Sequence, residues 1–230
     1  MMKKYLVLAV LFVLPIVAYV FFASGVNNFG KLPVVTEEVA ELGEHTTLEG
    51  NEGVALGNKI TILGFLGENL DLKKTNAFNL NQKIYKRFNG FEDFQFVMVL
   101  PEGTEDKAAA LKMELAPLAD VGNWNFVFVQ PSEIQRIFSS LNTSYDLGED
   151  LGSDRVFIID KERRLRGRVQ DEDHGLLAGY DATSVAEINN KMVDDVKVIL
   201  AEYRLALKKN NINESSKRDA YLKINQNDEK

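Results

Sequence analysis

Residues 60–66 read ITILGFL, a short apolar run of β-branched and aromatic side chains that predicts a buried strand. Two further runs, Phe94 to Leu100 and Asn125 to Gln130, have the same character. The stretches between them favour helices, because Lys74 to Phe88 shows helical apolar spacing and Glu105 to Leu115 is rich in alanine. Strands that alternate with helices predict a sheet covered by helices on its faces.

Two hairpins are predicted around these core strands. Val156 to Asp160 and Leu165 to Val169 form the closing hairpin, and Thr46 to Leu48 with Val54 to Leu56 form a smaller one ahead of the first core strand. The result is a mixed sheet of four or five strands, and its order of elements is that of an α/β, thioredoxin-like fold.

Two serine-led signatures mark predicted helix starts. Ser132 with Gln135 and Ser184 with Glu187 have the spacing of capping boxes, in which side chains satisfy backbone amides of the first turn. The second signature opens a long amphipathic helix that continues to Leu207. Residues 209–230 are polar and charged, so we expect a disordered tail there.

The N-terminal residues predict a transmembrane anchor over residues 1–24. Tyr5 to Ala23 carries no charge, and a helix of that length rises about 28 Å, close to the hydrocarbon thickness of a bilayer. Lys3 and Lys4 precede the run, which predicts a single-pass protein of the inner membrane with its C-terminal domain in the periplasm. The alternative is a cleaved signal peptide, for which residues 23–25 offer only a poor cleavage site.

The remaining chain divides into a linker and a domain. Residues 25–44 contain glycine, asparagine and proline in no regular pattern and are predicted to be a spacer. Residues 45–208 form the thioredoxin-like domain. The net charge of −7 argues against a nucleic-acid partner, which normally requires a basic surface. The 230 residues contain no cysteine, so thiol–disulfide exchange has no nucleophile here.

The order of the segments resembles the Sco/SenC family of membrane-anchored thioredoxin-like proteins. The resemblance rests on short pieces of sequence: Ile62-Leu63-Gly64-Phe65, Leu100-Pro101-Glu102, Trp124 before Phe126-Val127-Phe128, Pro131-Ser132-Glu133-Ile134, and Val156 to Asp160 followed by Leu165-Arg166-Gly167. It implies a protein that delivers copper to cytochrome c oxidase or helps that enzyme to mature.

The copper ligands of that family are missing from the corresponding positions. The resemblance places Glu68 and Leu72 where the family has two cysteines, and Gly152 where it has a histidine. Copper(I) prefers thiolate or thioether ligands, which a carboxylate beside a leucine does not replace. We therefore predict no catalytic residue, metal ligand or cofactor, and interpret Glu68 as a residue at a helix start.

Two acidic groups support an alternative hypothesis of divalent-metal binding through oxygen ligands. The first is Asp146, Glu149, Asp150 and Asp154, and the second is Asp171, Glu172 and Asp173 with His174. Their spacing matches no EF-hand loop, and solvated acidic loops are the commoner explanation of such groups. His174 and His45 are interpreted as loop residues without ligand function.

Basic and methionine side chains complete the candidates. Arg164, Arg166 and Arg168 alternate along a strand and predict a basic stripe, beside Lys161 and Arg163, that either faces solvent or contacts an acidic partner or lipid head groups. The methionines at 98, 113 and 192 are expected to fill the core.

Two functional hypotheses follow from these patterns. The first is a redox-inactive, non-enzymatic Sco/SenC-like module, anchored in the membrane, that binds or assembles a respiratory or envelope complex. The second is a metal-handling protein or enzyme that uses the acidic loops.

Overall fold

The computed structural model describes residues 2–23, 30–50 and 53–206. The chain divides into two compact units after Gly30. The first unit contains helix α1, Met2–Ala23, which has Pro15 in its interior. By length and hydropathy together, no helix in the described part of the chain qualifies as a membrane span. The transmembrane anchor at residues 1–24 therefore stays a prediction.

The second unit is a layered α/β structure. Its strands are β1 (Val34–Thr36), β2 (Thr46–Thr47), β3 (Ile60–Phe65), β4 (Phe94–Pro101), β5 (Trp124–Val129), β6 (Arg155–Ile159), β7 (Leu165–Arg166), β8 (Arg168–Asp171), β9 (Gly175–Leu177) and β10 (Tyr180–Asp181). Its helices are α2 (Leu70–Leu80), α3 (Glu105–Leu115), α4 (Pro131–Ser140) and α5 (Val185–Glu187).

Two of these helices are extended by π-helical turns. Helix α2 continues through the π-turn Asn81–Tyr85 into Lys86–Phe88. Helix α5 continues through the π-turn Ile188–Met192 into an α-helix over residues 193–206. These two long helices correspond to the predicted helical stretches.

The main sheet has the strand order β1-β7-β6-β3-β4-β5-β2, with β10 also paired to β6. Strands β3, β4 and β5 are parallel, and β6 runs antiparallel to β3. The three predicted central strands are therefore confirmed. The predicted antiparallel pairing of the Val156 and Leu165 strands is confirmed as well, with Ile158 opposite Arg166.

Apolar side chains cover both faces of the central strands. On one face, Ile62, Phe96 and Trp124 pack with α2, α3 and the last helix. On the other face, Leu63 and Val97 pack with α4. Because successive strand residues point to opposite faces, continuous apolar runs can be buried on both sides, which explains the unbroken hydrophobicity of these strands.

The predicted N-terminal hairpin is wrong. Thr46 pairs with Phe128 of β5, so β2 lies at the edge of the main sheet, and residues 54–56 form no strand. Strand β2 covers backbone groups of β5 that would otherwise remain at an open edge. The sheet consequently has more strands than the four or five expected.

The predicted linker, residues 25–44, overlaps the folded unit. Strand β1 lies within it and pairs with β7, placing Val34 opposite Arg166. Leu32, Val39 and Leu42 are buried. The apolar residues of this segment are scattered among glycine and proline, so they show no strand or helix periodicity. They are nevertheless buried against the folded unit.

One of the two predicted capping boxes forms in part, because the Glu187 carboxylate accepts the amide of Asp181 and not that of Ser184. The amide of Glu187 donates to Ser184 Oγ over 3.2 Å, which confirms that helix start. The box at Ser132 is wrong, because the helix begins one residue earlier at Pro131, whose missing N–H suits the first helical position. The predicted disordered tail, residues 209–230, lies outside the described residues.

Candidate functional site

The loop after β3 and the loop before β6 are in direct backbone contact. Leu66 forms an isolated antiparallel bridge with Gly152. The amide of Glu68 donates to the carbonyl of Asp150 over 2.9 Å. The positions that the family resemblance assigns to the cysteine loop and to the histidine are therefore adjacent in this fold.

Gly67 permits this close approach. Its φ of +69° lies in the left-handed region, where glycine is favoured. A Cβ at this position would lie 2.6 Å from the carbonyl oxygen of Asp150 and 2.8 Å from the amide nitrogen of Gly152. Both neighbours are backbone atoms, so a side chain at residue 67 would force the two loops apart.

Glu68 and Leu72 are presented to solvent at the start of α2. Glu68 lies two residues before the helix begins, as predicted, and its carbonyl accepts a hydrogen bond from Lys107 Nζ over 3.0 Å. Its exposed carboxylate has no hydrogen bond or ion pair among the residues that the structure describes. Leu72 is 74% exposed. A leucine and a carboxylate at these two positions do not provide the sulfur ligands that copper(I) prefers.

Gly152 occupies a tightly packed position, where a Cβ would lie close to two neighbouring side chains. A Cβ there would lie 3.1 Å from Asp150 Oδ1 and 3.3 Å from Lys73 Cε. Asp150 Oδ1 also accepts the amide of Gly152 over 3.1 Å, which closes the turn. A Cβ at residue 152 would therefore require small shifts of the Asp150 and Lys73 side chains.

Asp154 joins the second loop to α2. Its Oδ1 accepts hydrogen bonds from Lys73 Nζ over 2.7 Å and from Asn76 Nδ2 over 2.8 Å. Burial acts to raise the pKa of Asp154, but the hydrogen bonds from Lys73 and Asn76 outweigh it and hold that pKa below its ordinary value. This carboxylate is therefore engaged in holding the second loop against α2.

The second acidic group is also engaged internally. Asp171 Oδ1 accepts the amides of Asp173 and His174, and Lys191 Nζ over 2.6 Å. Burial acts to raise the pKa of Asp171, while its hydrogen bond from Lys191 lowers it overall. Asp146, Glu149 and Glu172 are exposed.

The acidic groups do not assemble a metal site. Across residues 2–23, 30–50 and 53–206, no three His, Cys, Asp or Glu side chains come together as potential ligands. The structure therefore gives the metal-handling alternative no supporting geometry.

The two histidines have different surroundings. His174 is exposed, and its Nε2 lies 3.5 Å from Glu187 Oε2. His45 Nδ1 lies 2.7 Å from the carbonyl oxygen of Gly43. Its Nε2 is buried with no hydrogen-bond partner in the described structure.

The predicted basic stripe is wrong at its centre. Arg166 is only 2% exposed, and its guanidinium donates to Asp160 over 2.9 Å and to Glu202 over 2.6 Å. Strand β7 lies between β1 and β6, so it is not an edge strand. Period-two spacing placed the arginines on one face but did not reveal that the last helix covers that face.

The flanking arginines also have internal partners. Arg164 Nε donates to Asp160 over 2.8 Å, and Arg168 Nε donates to Asp195 over 2.7 Å. Tyr180 donates to the same Asp195 oxygen over 2.7 Å, and burial together with this carboxylate raises the pKa of Tyr180 well above its ordinary value. The stripe therefore stabilises the fold and offers little free charge to a partner.

One methionine differs from the expectation. Met98 and Met192 are buried in the core as predicted, whereas Met113 is 76% exposed on α3.

The fold has known counterparts. A putative protein disulfide isomerase from Bacteroides thetaiotaomicron matches with a TM-score of 0.50 and 16% identity, over 75% of this chain and 95% of that chain. The fold is thioredoxin-like. This likeness describes the arrangement of the chain and assigns no activity to it.

Sco proteins are among the other solved structures that match. The copper-bound ScoI of Arabidopsis thaliana matches at a TM-score of 0.43 and 19% identity, over 68% of this chain and 98% of that one. Yeast Sco1 matches at a TM-score of 0.44 and 15% identity, over 70% of this chain and 98% of that one. Both are likenesses of the overall fold at low sequence identity. No family model and no curated protein matches the chain.

Sequence reasoning missed the two lysines that frame the site. Lys73 reaches Asp154 and Lys107 reaches the carbonyl of Glu68. Both lie on helices where lysine is common, so nothing in the local sequence singles them out. The sequence shows only that charged helix residues lie near a predicted loop. The tertiary contacts show which of these residues bond to the loops.

Proposed function

We propose that the chain is a membrane-anchored thioredoxin-fold module that binds a protein partner and performs neither thiol–disulfide exchange nor thiolate-based copper transfer. One observation carries the proposal. The loop after β3 and the loop before β6 are in contact. The positions that the resemblance assigns to sulfur and imidazole ligands hold Glu68, Leu72 and Gly152.

Ligand chemistry supports the exclusion of these two activities. A mixed disulfide requires a sulfur nucleophile, and the sequence contains no cysteine. The methionines do not substitute for cysteine, because Met98 and Met192 are buried in different elements and Met113 is exposed on a third. The described site therefore contains no set of soft ligands.

The surface of the site supports binding. Leu72 in the first turn of α2 is mostly exposed, and Glu68 ahead of that helix keeps an unpaired carboxylate in the described structure. Apolar side chains surrounded by charged groups are common at protein–protein contacts. The backbone contacts between the loops and the Lys73–Asp154 pair hold this surface in one conformation, which lowers the entropy cost of binding.

The anchor and the partner class extend this proposal. The uncharged run from Tyr5 to Ala23 supports a single-pass inner-membrane protein with its domain in the periplasm. The resemblance to the Sco/SenC family supports a partner in a respiratory or envelope complex. The acidic net charge supports a protein rather than a nucleic acid as that partner.

Copper(I) titration of the full chain in detergent micelles, against a competing chelator, tests the exclusion of copper transfer. We expect no stoichiometric, competitor-resistant binding. The matched positive control is the double variant Glu68→Cys with Leu72→Cys, which restores two thiolates at the positions assigned by the resemblance. Tight copper binding by the unaltered chain would contradict the proposal.

Photo-crosslinking in intact membranes tests the binding surface. A photoreactive residue in place of Leu72 should give discrete protein adducts. The control position is Lys86, which is exposed in the last turn of the same long helix. The same adducts at both positions, or none at residue 72, would argue against this surface as the binding site.

A further inference from the structure

A cavity of about 240 Å³ lies at the beginning of β3, at the opposite end of that strand from Glu68. Its walls are apolar and come from Ile60, Phe91, Leu200 and the ring of Tyr203. Phe91 is 39% exposed, whereas Ile60 and Leu200 are buried. The cavity is therefore an apolar recess in the core that is open to solvent on one side.

Hydrogen bonds hold the walls of the cavity in place. The amide of Ile60 donates to the carbonyl of Asp93 over 2.7 Å, and the amide of Phe91 donates to the carbonyl of Phe88 over 3.0 Å. The Tyr203 hydroxyl donates to Glu162. A recess with fixed walls binds a ligand without the cost of ordering them.

Charged groups surround the opening. Lys161 Nζ is paired with Asp93 and lies 5.5 Å from the centroid of the Tyr203 ring. Glu92 and Arg204 are exposed, and neither has a hydrogen bond or ion pair with any residue in the described ranges. The rim thus offers one free carboxylate and one free guanidinium.

We propose that this cavity binds a small zwitterion with an apolar side chain, the class of which leucine and phenylalanine are representatives. The apolar side chain would enter the recess, the ligand carboxylate would pair with Arg204, and the ligand ammonium would pair with Glu92. Size supports an amino-acid ligand, because pockets for drug-sized molecules typically enclose about 300–1,000 Å³. The proposal is independent of the function proposed for the Glu68 loop.

Calorimetric titration of the full chain in detergent micelles with L-phenylalanine and L-leucine tests the assignment. We expect saturable binding of both. Two matched probes each lack one charge: 3-phenylpropionate has no ammonium group, and 2-phenylethylamine has no carboxylate. The affinity of each should be lower than that of phenylalanine by a factor of about three or more, which is the effect of losing one exposed ion pair.

Two charge variants separate the contributions. Arg204→Gln should weaken the binding of phenylalanine and 3-phenylpropionate but leave that of 2-phenylethylamine unchanged. Glu92→Gln should weaken the binding of phenylalanine and 2-phenylethylamine but leave that of 3-phenylpropionate unchanged. Lys197→Gln is the control, because Lys197 is exposed on the same helix and does not line the cavity.

Three outcomes would overturn the proposal. The first is no saturable binding of either amino acid, and the second is an unchanged phenylalanine affinity in both charge variants. The third is binding of an uncharged apolar peptide at least as tightly as phenylalanine, which would make the recess an anchor site for a partner's side chain.

Discussion

At the scale of single residues, Arg166 shows how a charged side chain becomes part of a core. Its Nε donates to the carbonyl of Leu32 over 2.7 Å, and its remaining nitrogens reach Asp160 and Glu202. Asp160 is fully buried and also accepts two backbone amides of its own turn. Each buried ion has its counter-ions and its hydrogen bonds, so removal of Arg166 would leave Asp160 buried with Arg164 as its remaining cation among the described residues.

Arg166→Gln should lower the free energy of unfolding by about 1.5–3 kcal/mol, because the buried Asp160 loses one charged hydrogen bond but keeps the one from Arg164. Urea unfolding of the full chain in micelles measures this loss. Arg87→Gln is the control, since Arg87 is exposed and makes only a 3.5 Å contact with Asn189, and we expect a change of about 0.5 kcal/mol or less. Similar losses in the two variants would contradict the role assigned to Arg166.

A second residue-scale prediction concerns Gly67, for which the chain contains a matched control. Gly67 and Gly175 have nearly equal φ values of +69° and +67°, but only Gly67 has backbone atoms where a Cβ would lie. Gly175→Ala should cost about 1 kcal/mol from backbone strain alone. Gly67→Ala should cost at least about 2 kcal/mol more, because the loop at Asp150 must move. Equal losses in thermal or urea unfolding would show that the loop contact is not tight.

At the scale of elements, one helix fixes the geometry of the candidate site. Lys73 and Asn76 lie one turn apart on α2, and both donate to Asp154 in the loop before β6. Side chains therefore hold the second loop against α2, in addition to the backbone contacts between the two loops. This arrangement links the stability of the site to the ionisation of one carboxylate.

Because the pKa of Asp154 is depressed in the folded state, its contribution to stability is present above its ordinary pKa of 3.8 and is lost as pH falls through the folded value. Lys73→Met should therefore lower the free energy of unfolding by about 0.5–1 kcal/mol at pH 7. The difference from the unaltered chain should shrink towards pH 3. Urea unfolding at several pH values measures it, with Lys86→Met as an exposed control. A difference that is independent of pH would contradict the ion pair.

Elements differed in how well the sequence predicts them. The central strands around Ile62 and Phe96 were predictable, because long parallel pairings bury both faces and leave unbroken apolar runs. Strand β2 was not, since two threonines carry no periodic signal and their pairing depends on the open edge of β5. The family resemblance assigned Glu68 and Gly152 to ligand positions, and the contact between their two loops is visible only in the tertiary structure. The burial of Arg166 did not follow from any local pattern, because it depends on the distant residues Leu32 and Glu202.

At the scale of the whole molecule, the folded unit begins earlier than its strand pattern suggests. Leu32 and Val39 are buried, and β1, which begins four residues after Gly30, pairs with β7. Its N-terminal segment is therefore part of the sheet and is held by Arg166. A substitution in that segment should therefore change the stability of the folded unit.

The predicted orientation in the membrane can be tested on the whole molecule. Protease added to the outside of spheroplasts should degrade the domain, because Lys3 and Lys4 place the N-terminus in the cytoplasm. A cytoplasmic marker protein serves as the control and should survive until lysis. A domain that becomes sensitive only after lysis would have the opposite orientation.

The aromatic cluster around Trp124 gives this protein an optical signature. Trp124 is the single tryptophan of the sequence, is fully buried, and lies with its ring centroid 4.5 Å from that of Phe96 and 5.5 Å from that of Tyr85. Its fluorescence in the native protein should be blue-shifted by the apolar surroundings and should gain excitation energy from Tyr85. Loss of the core would expose the indole and shift the emission to longer wavelength, so one natural chromophore reports the integrity of the sheet without any label.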